Sequence, residues 1–450
     1  MSAPDGLRGN ADFRRLWAAQ AISAFGSRIT RTALPIIAVK TLGESESIVG
    51  LLTAMQLAPG VVLAMFAGGF VDRGRKRRIL VAADLIRAAL ILSLTAAWAL
   101  GALGMTQVVL VGAGVGAASA LFHITDVAFL PALIGRKHLA AGNARLEATE
   151  AIAEITGPAS TGALIAAFGA PLAVALDALT YLWSAAMLGR IRAPEAHARR
   201  PHAGDGVPRA AGLDTGPVVK DEPLRRGEDF RIGLRTVFGH PLVRPVVLSF
   251  MVWSISGGFF MATYTLYCLR TLQLSESTFG VIIAMGGVGS LAGALLSRAF
   301  VRTLGLGRAL LVTSILSTSC ALFIPLASGP VVLGIAFLLA HQLLSDGFSV
   351  AFVIQAVTLR QTVLPRDVLG RANAAILVCT EGVLPVAALI AGFIAQVAGI
   401  HVAVWIGVLV GLLAPALLWP LRHLQTMPEP AASGPIPAPQ VGESPPQVTP

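Results

Sequence analysis

The chain has 450 residues, of which 55% are hydrophobic and 13% charged, with a formal net charge of +10. Its apolar residues fall in blocks of about twenty, which excludes an ordinary soluble domain, where each helix would carry one apolar stripe and a polar remainder. Residues 246–266 and 331–352 are apolar on every face and need lipid or other helices all round.

Residues 1–16 are polar and carry Arg8, Arg14 and Arg15. The apolar run that follows has no small-residue cleavage site, so the first block is expected to act as its own insertion signal. Blocks long enough to span a bilayer can be drawn at about 13–39, 47–71, 79–101, 106–131, 144–168 and 171–190, then at about 242–268, 277–300, 309–328, 331–355, 372–397 and 401–421. The pattern predicts an all-α membrane protein of twelve transmembrane helices in two six-helix, pseudo-symmetric halves, residues 1–190 and 241–421. Between them lies a polar linker, 191–240, whose end carries Phe230, Leu234 and Phe238 on one helical face suited to a membrane surface. The tail, 422–450, is rich in Pro, Ser and Gly and reads as disordered.

A basic balance of this size can signify nucleic acid or anionic lipid, and its placement decides. Of the 34 Lys and Arg, Lys40 and Arg270 alone fall in loops on one side, and Arg28, Arg31 and Arg87 lie inside blocks. The remainder lie on the other side, which puts both termini in the cytoplasm by the positive-inside rule, facing anionic lipid and not nucleic acid. The three cysteines, Cys268, Cys320 and Cys379, are far apart and lack metal-ligand spacing, so they read as small core hydrophobes. There is no zinc-ligand His pair, no phosphate-cradling loop followed by Lys-Ser/Thr and no nucleophile elbow, so neither an enzyme, a cofactor nor a metal is expected.

The halves echo one another. Ala141-Gly142-Asn143-Ala144 leads to Thr149-Glu150 in the fifth block, and Arg371-Ala372-Asn373-Ala374 leads to Thr380-Glu381 in the eleventh. Ala67-Gly68 to Asp72-Arg73 after the second block likewise matches Ala292-Gly293 to Ser297-Arg298 after the eighth. Such matches at the same step of each half indicate a duplicated unit.

Gly68, the Asp72-Arg73 pair four residues on and the basic run Arg75 to Arg78 resemble the signature between helices two and three of major facilitator transporters. With Asp84, Arg87, Asn143-Ala144 and Gly157-Pro158, the chain looks most like the branch holding macrolide-efflux and enterobactin-exporter proteins, over roughly residues 13 to 421. It departs from that branch where Gly74 follows Arg73 directly. In the exporter motif of helix five only Gly157, Pro158 and Gly162 match, and Ser27 stands where an acidic residue is common. The resemblance implies alternating access of two halves, with a cavity lined by helices 1, 4, 5, 7, 10 and 11.

In that frame Gly68 lets the second helix approach a neighbour, and Asp72 with Arg73 forms a conformational latch at its cytoplasmic end; the bland reading keeps only Arg75 to Arg78, as topology signals. Ionisable groups inside the membrane are costly and are functional candidates by default. Glu147, Glu150 and Glu154 share one helix face by their i, i+3, i+7 spacing, at depths of about 5, 9 and 14 Å from the cytoplasmic start of their block. Three carboxylates there cannot all ionise cheaply in a low dielectric, so at least one is expected to exchange a proton. Glu154 leads, with Glu381, Glu150 and Asp346 behind it; the bland reading pairs Glu147 and Glu150 with Arg145 or Arg136 at the rim. Arg28 is expected to point inward, as a counter-ion for Glu154 or a contact for an anionic substrate group, and Arg31 to snorkel to the outer edge. Asp84 and Arg87 read as an internal ion pair, while Asp126 and Asp177 have no partner legible in the sequence. Trp253, Phe259, Phe260, Tyr264 and Tyr267 are candidate stacking contacts, although such aromatics more often simply pack.

These readings converge on a secondary transporter of a bacterial inner membrane, working as a monomer amid lipid and exporting an amphipathic small molecule against protons, with the proton gradient as its energy source. The alternatives are a metabolite importer and a non-transporting receptor or scaffold on the same fold.

Overall fold

The structure is a computed structural model, and it describes residues 9–135, 138–192 and 226–426. The first half comprises α1 (Ala11–Ile36), α2 (Glu46–Arg73), α3 (Lys76–Ala99), α4 (Met105–Ile134), α5 (Leu139–Phe168) and α6 (Ala170–Gly189). The second comprises α7 (Val243–Leu266), α8 (Glu276–Leu304), α9 (Leu306–Cys320), α10 (Val331–Val363), α11 (Arg366–Glu381, continued by Val383–Ala398) and α12 (Ile400–Gly411). Eleven helices among the described residues are long and apolar enough to cross a membrane. The twelfth is α1, whose 26 residues reach about 39 Å, more than the hydrocarbon core needs. Its apolarity is lowered by Arg14, Arg15, Arg28 and Arg31, of which Arg28 is buried.

The duplication is visible in the backbone. At the end of α1 the chain widens into a π turn, Ile37–Thr41, and at the end of α7 it does so again over Tyr267–Thr271. The wide hydrogen bonds are matched as well, Leu42 N–H to Ile37 C=O and Leu272 N–H to Tyr267 C=O, both 3.0 Å. Such insertions recur where a helix must be re-aimed at a functional place. Gly169 and Gly399, with φ of 79° and 94°, end α5 and the second part of α11 and turn the chain straight into the next helix, a backbone conformation that side chains with a Cβ rarely adopt.

Within the first half α1 packs on α5 and α6, and α4 on α2 and α3; within the second, α8 packs on α10, and α7 on α11 and α12. The halves meet through α5 against α8 and α2 against α11. Most of the linker, and the tail beyond residue 426, lie outside the described residues, but the linker's last part is the expected helix, Arg226–Gly239. It lies against α11. Gly233 and Val237 are buried, and Phe238 packs against the core of the second half, so this face is covered by protein as well as being apolar.

Candidate functional site

Arg28 organises the first half's polar centre. Its guanidinium binds Glu150 at 2.6 Å and also Glu154, so one cation is shared between two carboxylates one helical turn apart. The Arg28 side chain is 9% exposed, whereas Glu150 and Glu154 are 53% and 49% exposed, which places the carboxylates on the wall of an open cavity. Gly157 makes this possible: a Cβ there would sit 2.9 Å from the Arg28 stem. Arg31, one turn along α1 on the same face, is accessible and within electrostatic range of Arg28, Glu154 and Glu150. Among the described residues Glu150 pairs with Arg28 and makes no ion pair with Arg145 at the rim. Glu147 is exposed and makes no ion pair among the described residues, and Arg136 lies outside them.

The second half contributes a cavity of about 120 Å³ between α7, α9, α10 and α12. Trp253, Phe259, Phe260 and Tyr264 line it, with Asp346 and His341 from α10. Phe260 stacks on Tyr264 at 4.4 Å between centroids, and His341 Nδ1 lies 3.2 Å from the Cys320 carbonyl. Asp346 pairs with no cation among the described residues and is within electrostatic range of Glu154 across the gap between the halves. Tyr267, grouped with these aromatics on sequence, does not join them: it is fully buried, with its ring 5.9 Å from that of His401. This cavity reaches back to α9 and α12, and so differs from the one expected from helices 1, 4, 5, 7, 10 and 11.

The far face, opposite the termini, is closed by two crossed ion pairs. Lys40 at the end of α1 meets Glu276 at the start of α8 (3.1 Å), and Arg270 at the end of α7 meets Glu46 at the start of α2 (2.9 Å). Lys40 and Arg270 are the two basic residues the sequence left on that side, and their partners occupy equivalent places in the opposite half. Beneath the pairs, Gly162 on α5 faces Gly280 on α8, and Gly50 on α2 faces Gly392 on α11; a Cβ on Gly162 would lie 2.5 Å from the Glu276 carbonyl. The helix-five motif thus divides its work: Gly157 admits Arg28, the Pro158 carbonyl approaches Gly280, and Gly162 admits α8.

Partly exposed ion pairs are worth about 0.2–1 kcal/mol each. Neutralising Glu46 or Glu276 alone should therefore reduce the closed population by no more than about fivefold. Charge exchange, Glu46→Lys with Arg270→Glu, should restore it. A double-mutant cycle on the distance between spin labels at Thr41 and Thr271 checks this, and additive effects of the two single changes would show that the pair contributes nothing to closure.

Elsewhere, Asp84 and Arg87 form the expected buried pair, with the Arg87 guanidinium over Phe122 and Tyr181 at 4.5 and 4.3 Å. Asp126 accepts from Gln20 at 2.5 Å, and Asp177 accepts from Thr30 and Thr180, partners the sequence alone did not reveal. Glu381 is exposed where α11 is interrupted at Gly382 and makes no ion pair among the described residues. The surroundings of Gly68 and the side chains of Asp72 and Arg73 lie outside the described part of the structure.

The fold recurs in solved transporters. A bacterial homologue of the iron transporter ferroportin in its inward-facing state matches with a TM-score of 0.69 at 16% identity, over 92% of this chain and 98% of that one. A bacterial ferroportin homologue in the outward-facing state gives 0.55 at 18% identity, over 91% and 99%. The nucleoside transporter NupG matches with a TM-score of 0.71 at 10% identity, over 91% and 99%. No protein of curated function matches the chain in sequence. The pattern of the Major Facilitator Superfamily covers residues 16–383, and with two six-helix halves closed on each other by equivalent contacts, the chain belongs to that superfamily and is a multi-pass membrane transporter.

Proposed function

We propose that the chain is a proton-coupled exporter of an amphipathic small molecule, akin to the macrolide-efflux and enterobactin-exporter branch, in a bacterial inner membrane with both termini in the cytoplasm. The observation that carries this reading is the charge count at the centre. Two guanidinium groups, Arg28 and Arg31, stand among three carboxylates, Glu150, Glu154 and Asp346, so this cluster carries one negative charge more than its cations balance. An uncompensated charge at that depth is costly, and one proton removes it. The carboxylates are open to the cavity while the far face is shut, so a proton carried there leaves toward the side of the termini. The metals and nucleosides named for the similar structures belong to those proteins.

The direction of flux tests this reading. A deletion strain screened for hypersensitivity to antibiotics, dyes and siderophores identifies a substrate. Everted vesicles should then accumulate it when their lumen is acid and lose it on addition of a protonophore. Accumulation in intact cells under the same gradient would make the chain an importer. Orientation is tested separately: cysteines placed at Gly204 and Ser433 should resist an impermeant thiol reagent in intact cells and react after permeabilisation, and efficient reaction in intact cells would reverse the topology.

A further inference from the structure

We infer that the cavity around Asp346 is a subsite for the ammonium group of an aromatic amine, and that this cation and the proton compete for the same missing charge. The inference rests on the transport reading and names its substrate class. Asp346 lines a cavity whose other walls are aromatic rings and neutral hydroxyls, among them Ser345, Ser349 and Thr263. The titratable groups that face it are Glu154 from α5, Tyr264 from α7 and His341 from α10, while α8 presents Gly286 and α9 presents Ser317. Neither Lys nor Arg is among them, so nothing in the described chain neutralises Asp346.

Tyr264 lines the same cavity, its ring stacked on that of Phe260 at 4.4 Å between centroids. At about 120 Å³ the cavity approaches the size of sites that hold one benzene ring, about 150 Å³. Trp253, Phe260 and Tyr264 offer ring faces to a cation or an aromatic group. The central cluster lacks one positive charge, so either a proton or a monovalent ammonium balances it, and carrying both would overshoot. That is the condition for exchange of one for the other.

Three probes of one shape test it: 4-phenylbutylamine, 4-phenylbutanol and 4-phenylbutyrate, titrated calorimetrically into the purified full chain in lipid nanodiscs. The amine should bind about tenfold or more tightly than the other two, since even a partly screened ion pair contributes that much at such a site. Its affinity should fall as the pH is lowered, and Asp346→Asn should erase its preference over the alcohol. If that variant fails to fold, a cysteine at Ser256, on the cavity wall, supplies the same answer in the otherwise native chain: the amine should slow its alkylation and the butyrate should not. Equal binding of the three probes, a preference that survives in Asp346→Asn, or equal protection at Ser256→Cys would overturn the inference. Binding needs no gradient, so these results stand apart from the coupling reading. Cation preference without gradient-driven flux sinks only the coupling, and gradient-driven flux of another solute without cation preference sinks only the subsite.

Discussion

Glu154→Gln is expected to abolish gradient-driven efflux, to the level of protein-free liposomes, while substrate binding and passive exchange persist. Glutamine keeps the volume of the side chain and can still accept from Arg28, so the local packing survives. What it removes is the ability to take up and release a proton. Glu154 is the candidate because it combines three properties: a place midway along α5, about 22 Å from its start, exposure of about half its side chain, and an Arg28 ion pair shared with a second carboxylate. When Arg28 serves both Glu150 and Glu154, neither is fully compensated, and the Asp346 charge across the gap adds to the deficit. Glu147→Gln, by contrast, should leave flux near wild type, because that carboxylate is exposed and makes no ion pair with the cluster among the described residues. Proteoliposomes under an imposed pH gradient give the comparison. Wild-type pumping in Glu154→Gln, with loss in Glu381→Gln or Asp346→Asn, would move the coupling site to the second half.

Gly162→Leu should stop transport by a different route, by preventing the far face from closing. Even a Cβ at Gly162 meets the Glu276 carbonyl at 2.5 Å and the Gly280 backbone at 3.0 Å, and neither is the end of a flexible side chain. Overpacking of this kind costs about 1–3 kcal/mol, and here it falls on the closed state alone, a bias of about 5–150-fold toward the state open on the far side. That exceeds what loss of either crossed ion pair can do. Gly280→Leu should act in the same way, since its Cβ would meet the Pro158 carbonyl at 2.5 Å. Distances between spin labels at Thr41 and Thr271 should lengthen in both variants, with the protein still monodisperse in detergent. An unchanged distance together with normal flux would mean that the α5–α8 approach is not part of the transport cycle.

The architecture was largely legible because hydropathy reports the solvent. Apolar blocks of bilayer length and the asymmetric placement of Lys and Arg gave the spans, and the paired Asn-Ala and Thr-Glu motifs gave the duplication. The first block was legible by its length despite its charges. The Arg28–Glu154 pair was legible too, because helix periodicity aims the side chains and an intramembrane cation needs a partner. What stayed hidden depends on contacts between segments distant in the chain. Lys40 and Arg270 stood out as the outer basic residues, but nothing local says that Glu276 and Glu46 meet them, since that requires knowing that α1 lies near α8 when the far face shuts. Gly162 was read as a partial motif match, and only the approach of α8 gives it a physical task. The placement of Arg31 beside the carboxylates, and the cavity reaching back to α9 and α12, likewise follow from packing, which periodicity alone does not fix.

The central claim is that the closed far face is one of two states the chain must visit, and that a proton at Glu154 biases the choice between them. Its most direct test is the distribution of Thr41–Thr271 distances in lipid, measured by double electron–electron resonance at acid and alkaline pH. The account predicts two populations, one matching the closed far face and one longer, whose ratio changes with pH in the wild type and stays fixed in Glu154→Gln. A single unchanging distance under all conditions would contradict it, and would favour a non-transporting membrane receptor or scaffold built on the same fold.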